Sequence, residues 1–223
     1  TPTNNFCTLN NNSRTNGNIH SEHGGTYVST DGGSGWVSMN ATMGVSNGKW
    51  YWEGQRENNS DGTYVMPGIA AWNDPWIPHR SGGYYAGNVA TGGSTGWYYL
   101  NGNVYNGGSG WTGPSTGDIA MIALDMDNEK LYFGKNGTWQ NSSNPATNTN
   151  GQALSVMAQI GNLDYVLPSV SVYQGNEAEF NFGGYTKTTI SSGQSDANGY
   201  GNFEYAPPTG YYALCSKNLG EFG

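Results

Sequence analysis

The stretch from Gly117 to Trp139, GDIAMIALDMDNEKLYFGKNGTW, constrains the fold more than any other. Residues 119–126 are apolar apart from Asp125, and residues 130–133 resume a β-rich pattern after the polar break Asp127-Asn128-Glu129. Asp and Asn tolerate the left-handed backbone that a tight reversal demands, so the break reads as a hairpin turn. Lys135-Asn136-Gly137 follows within a few residues, and Asn-Gly beside an apolar run is a strong hairpin signal. Two closely spaced hairpins this apolar belong in a sheet covered on one face. Nothing in the stretch is chemically activated, so it speaks for architecture and not for a reaction.

The remainder of the chain reads the same way. Charged residues are only 11% of the 223, aromatics reach 13%, and glycine numbers 36. That mix is too aromatic for disorder and too glycine-rich for helices, and it fits many short strands joined by turns. Residues 27–45 hold two strands around the loop Asp31-Gly-Gly-Ser-Gly35. After the turn Asn47-Gly48, Lys49-Trp-Tyr-Trp-Glu53 alternates, with Trp50 and Trp52 on a core face and Tyr51 and Glu53 opposite. Residues 64–72 form a strand interrupted by Pro67, hence bulged or near an edge. Residues 96–105 form a hairpin turning at Asn101-Gly102. Residues 167–173 and 177–182 are a pair of strands around Gln174-Gly175-Asn176, with Phe180 and Phe182 on one face and Glu179 and Asn181 on the other.

The expected core is Trp52, Ile122, Leu124, Leu131, Phe133, Val170, Val172, Phe180 and Phe182. Residues 140–151 are expected to be a solvated, mobile loop, residues 153–160 a strand or a short helical turn, and residues 191–202 a loop. No convincing helix is expected. Phe6-Cys7-Thr8-Leu9 and residues 211–216 read as terminal strands, expected to neighbour each other because the ends of one domain often lie close. Cys7 and Cys215 are the only cysteines; two buried, unpaired thiols and a disulfide between the termini both remain open.

Charge excludes one class of function. Lys plus Arg is 8 against 16 for Asp plus Glu, a net charge of −8, and Arg80 is the only basic residue between Glu57 and Glu129. A nucleic-acid groove needs clustered cations, so nucleic-acid binding is rejected. No apolar run is long enough to span a bilayer, so no membrane insertion is expected, and no basic-then-apolar leader is visible. The chain begins at Thr1 rather than Met, which reads as a processed product or one portion of a longer polypeptide.

Catalytic constellations fare poorly. Glycosidases on β-sandwiches need two facing carboxylates, and Glu177/Glu179 and Asp125/Asp127 have strand spacing. The first pair is better read as a solvated strand face and the second as the hairpin turn. Asp125, Asp127 and Glu129 alternate like calcium-loop ligands, but Lys130 stands where that loop needs glycine and Asn136 where it needs a bidentate glutamate. His20, Glu22 and His23 could approach a metal, yet they lie in a glycine-rich segment that reads as solvent-exposed. No Gly-x-Ser-x-Gly elbow and no phosphate cradle is present. No catalytic residue, metal site or cofactor is expected.

Four blocks together say more than patterning can: Gly48-Lys-Trp-Tyr-Trp-Glu53, Gly96-Trp-Tyr-Tyr-Leu-Asn-Gly-Asn-Val-Tyr105, Gly117-Asp118 through Gly137, and Leu167-Pro-Ser-Val through Asn181-Phe-Gly183. In order and spacing they resemble the SPRY domain, from about residue 27 to residue 184. The resemblance implies an all-β fold, a bent two-sheet antiparallel β-sandwich of the concanavalin-like jelly-roll kind. It also implies a non-catalytic recognition module whose ligands sit on variable loops at one end, so it transfers no ligand residue. The whole chain, 1–223, is read as one domain: an N-terminal flank 1–26, the core 27–184 and a C-terminal flank 185–223. The flanking segments Pro2-Thr-Asn-Asn-Phe-Cys-Thr-Leu-Asn10 and Tyr211-Tyr-Ala-Leu-Cys-Ser-Lys-Asn-Leu219 are similar to segments bracketing SPRY-like domains in tailed-bacteriophage virion proteins. That likeness implies a particle-surface or tail-fibre location, with host-surface glycan or protein, or other virion proteins, as partners, and leaves a homo-oligomer open. No RING, B-box or coiled-coil segment adjoins the core, which tells against an intracellular adaptor of a ubiquitin ligase.

What rises above background is aromatic density in loops. Trp72-Asn-Asp-Pro-Trp-Ile-Pro-His-Arg80 cannot be a central strand, because Pro75 and Pro78 remove ladder donors. It reads as a stiff loop, and residues 81–93 continue it with Tyr84 and Tyr85. Trp and Tyr supply contact area at low entropic cost, while Gly, Ser and Asn supply adaptable hydrogen bonding. Trp72, Trp76, His79, Arg80, Tyr84 and Tyr85 are therefore the candidate ligand contacts, with a carbohydrate-active enzyme or a purely structural decoration as the competing readings.

Overall fold

The computed structural model describes residues 3–14, 17–33, 35–59, 65–71, 88–89, 93–94, 99–100, 103–104, 115–154, 165–173 and 175–223. In chain order the strands are β1 (Leu9–Arg14), β2 (Ile19–Glu22), β3 (Tyr27–Thr30), β4 (Trp36–Ala41), β5 (Lys49–Asn59), β6 (Val65–Ala71), β7 (Asn88–Val89), β8 (Gly93–Ser94), β9 (Tyr99–Leu100), β10 (Asn103–Val104), β11 (Ile119–Asp125), β12 (Lys130–Lys135), β13 (Thr138–Trp139), β14 (Gln152–Ala153), β15 (Val166–Tyr173), β16 (Asn176–Asn181) and β17 (Tyr212–Ala213). Among the described residues the one α-helix is α1 (Ser216–Phe222).

Two sheets pack face to face. The small one has the order β1-β4-β15-β6, and the large one β13-β12-β11-β5-β16-β3-β2, with β14 beside β12 and β17 beside β5. Among the described residues pairing is antiparallel except for β17, which runs parallel to Trp50 and Tyr51. The opening stretch of the sequence behaves as its pattern requires. Ile122 lies opposite Phe133 on one side and Trp52 on the other. In the first turn Asp125 accepts from the Asn128 backbone N–H and Nδ2, both at 2.9 Å, and Glu129 takes φ 52°. The second turn has φ 47° at Asn136 and 81° at Gly137, the two left-handed residues of a type I′ hairpin.

Alternation along β5 shows why this strand is the spine. Trp50, Trp52, Gly54 and Arg56 face the small sheet, where Trp50 and Trp52 join Ile122, Leu124, Leu131, Phe133, Phe180, Phe182, Val37, Met39, Val170 and Val172 in one buried cluster. All nine expected core residues are in it. Tyr51 and Glu53 face the other way and are equally buried. The reason is the C-terminal segment, which crosses that outer face and forms a second cluster of Tyr51, Met121, Ala123, Tyr132, Phe203, Tyr211 and Ala213. The Tyr51 and Phe203 rings meet edge to face at 5.0 Å. Close approach requires glycine here: a Cβ on Gly183, φ 99°, would lie 2.9 Å from the Cα of Gly201.

Several local expectations need correction. The strands at 166–173 and 176–181 do not pair with each other: β15 lies in the small sheet and β16 in the large one, so the chain crosses between layers at Gly175. β6 sits at the edge of the small sheet as Pro67 requires, but its register with β15 is continuous from Val65 to Ala71, without a bulge. Residues 140–151 are solvated on most of their side chains, as expected, but are also a built turn. Asn144 caps a short 3-10 segment, Pro145 and Ser143 are buried, and Tyr132 Oη donates to Asn148 Oδ1 at 2.9 Å. The expected last strand shrinks to Tyr212–Ala213, and α1 follows although no helix was expected. It is too short to show periodicity and is held by tertiary contacts, with Phe222 stacked on Tyr212 at 4.0 Å. The strands β9 and β10 meet at Leu100 and Asn103, flanking the expected Asn101-Gly102 turn, which itself lies outside the described residues.

The termini do meet. Phe6 bridges Cys215, and the Cys7 N–H donates to Leu214 O at 2.9 Å. Both cysteines are free and buried, and burial pushes the Cys7 thiol up to about 11. Only the thiolate reacts appreciably. A thiol reagent at pH 8 is therefore expected to leave both cysteines unlabelled over an hour in the native protein and to label both in denaturant; rapid native labelling would mean that the ends are undocked.

Candidate functional site

The six candidate contacts Trp72, Trp76, His79, Arg80, Tyr84 and Tyr85 all lie outside the described residues, between the last residue of β6, Ala71, and the first of β7, Asn88. The frame from which that segment departs is described. Ala71 pairs with Val166, and Val166 bridges Val45 through two backbone bonds of 2.8 and 2.9 Å. Val45, Val166, Ile69 and Ala70 are buried. Next to Val166, Tyr165 is 41% exposed, one of two large apolar side chains so exposed among the described residues. Sequence reasoning missed Tyr165 as a contact candidate; the available signal was an aromatic immediately before a buried strand. Within the second expected loop, Asn88–Val89 pairs with Gly93–Ser94 as a small hairpin.

The paired-carboxylate question has a definite answer on the outer face of the large sheet. Glu53 lies opposite Asn181, and Glu179 opposite Gln55. Both acids are buried, and they line a cleft of about 260 Å³, open solvent included, together with Gln55, Asn181, Thr188 and Ile190. The expectation of a solvated face for Glu179 is thus overturned. Its two oxygens accept from the Lys187 and Thr188 backbone N–H groups, the latter at 2.9 Å. Glu177 is half-buried and accepts from Tyr27 Oη at 2.6 Å, with Lys187 Nζ over the same tyrosine ring at 4.0 Å.

Glu53 is more heavily engaged. One oxygen accepts from Tyr51 Oη at 2.9 Å and Tyr205 N–H at 2.8 Å, the other from Glu204 N–H at 3.0 Å and Asn181 Nδ2 at 3.2 Å. Burial pushes its carboxyl up from the ordinary value while these four donors pull it back, and the net direction is upward. A raised carboxyl in a cleft is often catalytic. Here the protein's own donors engage both acids: each Glu53 oxygen accepts two hydrogen bonds and each Glu179 oxygen one. Asp196 repeats the pattern, accepting from the Asn198, Tyr200 and Ala213 N–H groups and from Asn218 Nδ2 at 2.8–3.0 Å. These acids clasp the C-terminal segment onto the sheet.

The other constellations are likewise absorbed by structure. Asp125 is fully buried against Asn128 and Lys49, whose Nζ lies 3.0 Å away, and Asp127 accepts from the Gly48 N–H at 2.7 Å. His20 faces Asp31 at 3.2 Å, and Glu22 accepts from Ser29 Oγ at 2.6 Å. Among the described residues no three His, Cys, Asp or Glu side chains are grouped to hold a metal.

No protein-family model matches the chain, and no curated protein matches it. Solved structures do. The SPRY domain of human HERC1 is 17% identical, with 77% of this chain and 96% of that one covered and a TM-score of 0.54. A human SPRY domain is 16% identical over 76% and 98% of the two chains, TM-score 0.48, and the TRIM65 PSpry domain 15% identical over 79% and 92%, TM-score 0.47. At such identities the first likeness shows the fold alone: a β-sandwich of the kind SPRY domains adopt.

Proposed function

We propose that this chain is a non-catalytic recognition module, carried on a bacteriophage particle, which binds a host-surface glycan or protein through the residues between Ala71 and Asn88. The observation that carries the reading is the frame of that segment: buried Val45, Val166, Ile69 and Ala70, with exposed Tyr165 beside them. A rigid base lowers the ordering cost of the loop it supports. The composition of the segment adds to it, since Trp76, Tyr84 and Tyr85 offer contact area and Arg80 can pair a carboxylate bidentately. The virion setting rests on the flanking segments. The two segments resemble stretches that bracket SPRY-like domains in phage virion proteins, and Phe6 bridging Cys215 brings them together. The non-catalytic part rests on Glu53, Glu179 and Asp196, whose oxygens hold backbone N–H groups of the C-terminal segment.

The test uses the particle. Trp76→Ala and Arg80→Ala are each expected to reduce adsorption to host cells tenfold or more with Tm unchanged within about 1 °C. A large fall in Tm for Trp76→Ala with adsorption untouched by Arg80→Ala would make the segment scaffold. Sustained release of reducing sugar from host envelope polysaccharide would replace the binding reading with an enzymatic one.

A further inference from the structure

The large sheet ends at β2, and among the described residues no strand backbone pairs with its far side. The N–H and C=O groups of Ser21 and the C=O of Ile19 point that way, and side chains of β1 hold them. Asn11 Oδ1 accepts from the Ser21 N–H at 2.8 Å, and Asn11 Nδ2 donates to Ser21 O at 3.1 Å. Two residues facing each other in an antiparallel ladder exchange the same two bonds through their backbones. The Asn11 amide is thus a side-chain substitute for a strand. Arg14 Nη1 closes the next position, donating to Ile19 O at 2.8 Å. Beyond Ser21 the cover is firmer: the Leu9 N–H donates to Gly25 O at 2.6 Å, and Ser21 Oγ donates to Leu9 O at 3.4 Å. Residues 10–14 are held loosely by comparison. The β1–β4 ladder shifts register between Leu9 and Arg14, and Asn11 and Asn12 are exposed.

An open sheet edge recruits another strand unless something covers it. The side chains of this edge say which strand fits. If two β2 strands met antiparallel about Ser21, each Ser21 would exchange both backbone bonds with the other across a two-fold axis. His20 of each copy would then stand opposite Glu22 of the other, an imidazole able to donate against a carboxylate. Both groups also keep neighbours on their own copy. His20 Nε2 faces Asp31 Oδ2 at 3.2 Å and its Nδ1 lies 3.5 Å from Arg14 Nη1, while Glu22 accepts from Ser29 Oγ at 2.6 Å. We propose that the β2 edge is a strand-pairing surface for a second copy of this chain, kept shut by the Asn11 amide and the Arg14 guanidinium, which lift away with residues 10–14. The dimer is closed, because the pairing consumes the same edge in both copies.

Sedimentation velocity tests this. The double variant Asn11→Ala, Arg14→Ala is expected to form a reversible dimer, with self-association at least tenfold tighter than that of the wild type. Adding Ser21→Pro removes the N–H that the symmetric pair exchanges, at an edge position where proline is tolerated, and should return the protein to a monomer. Adding His20→Glu instead sets carboxylates opposite each other across the axis and should weaken the dimer at least fivefold. If the double variant does not fold, Asn11→Ala alone serves, with the same two additions. A folded variant that stays monomeric at every concentration would mean that β1 closes the edge without these two side chains, and would overturn the proposal. A dimer that survives both Ser21→Pro and His20→Glu would run through another surface and equally overturn it, as would open-ended assembly in place of a dimer.

Discussion

Phe180→Ala is expected to cost about 3–5 kcal/mol of stability, the upper range for a core aromatic. The ring is 2% exposed, lies nearly parallel to Phe182 with centroids 6.3 Å apart, and faces Gly54 across the strand pair, where even an added Cβ would sit 3.0 Å from it. Gly54 has no side chain to relax into the vacated space, so that side of the cavity cannot collapse. Urea unfolding with an unchanged m-value would isolate the loss as stability rather than a change of denatured state. A loss below about 1 kcal/mol would place the ring on the surface and β16 out of register, because a one-residue slip exchanges the faces of the whole strand.

The inner layer of this sandwich was legible because period-two alternation reports burial directly. Trp50 and Trp52, Ile122 and Leu124, Phe180 and Phe182 each declare one face, and the Asn136-Gly137 turn declares the register between them. What alternation could not report is a sheet buried on both sides. Tyr51, Glu53, Glu179 and Asn181 look like an outward face by polarity, yet all four are buried beneath residues 185–223. The covering segment has little regular structure to betray it: a Gln194–Phe203 bridge, two residues of β17 and a short helix. Strand β1 was missed for the related reason that Asn10-Asn-Asn-Ser carries no apolar pattern, and its ladder to β4 shifts register between Leu9 and Arg14.

The candidate site divides along the same physical line. Loop composition can nominate Trp76 or Arg80, because aromatic and guanidinium groups in glycine-rich segments bind well anywhere, but composition holds no distances. Buried acids are the opposite case. Their role is set by long-range partners such as Glu53 with Tyr205, or Asp196 with Ala213, separated by far more sequence than any local motif spans.

Glu53→Ala is expected to be as damaging as loss of a core ring, about 3–5 kcal/mol, though nothing apolar is removed. Four donors converge on this carboxylate, and the two from Tyr51 and Asn181 are buried in the sheet itself. Each buried donor left dry costs ~1–3 kcal/mol, and more where its partner was charged. The damage should also be local. The Glu204 and Tyr205 N–H groups belong to the covering segment, so hydrogen exchange at residues 203–205 should accelerate more than at β11 or β12. Uniform acceleration would mean that the clasp and the sandwich open together. The pH dependence gives a further check with a defined sign. Because burial holds the folded-state carboxyl above its ordinary value of 4.5, the native state keeps this proton more tightly than the unfolded chain. The Glu53 contribution is then fully present below about pH 4.5 and declines as pH rises toward the folded-state value. The stability difference between wild type and Glu53→Ala should accordingly be largest in acid and shrink toward neutrality. A difference that grows with pH would show that the four donors outweigh desolvation, and that Glu53 holds the covering segment as a fully charged clasp.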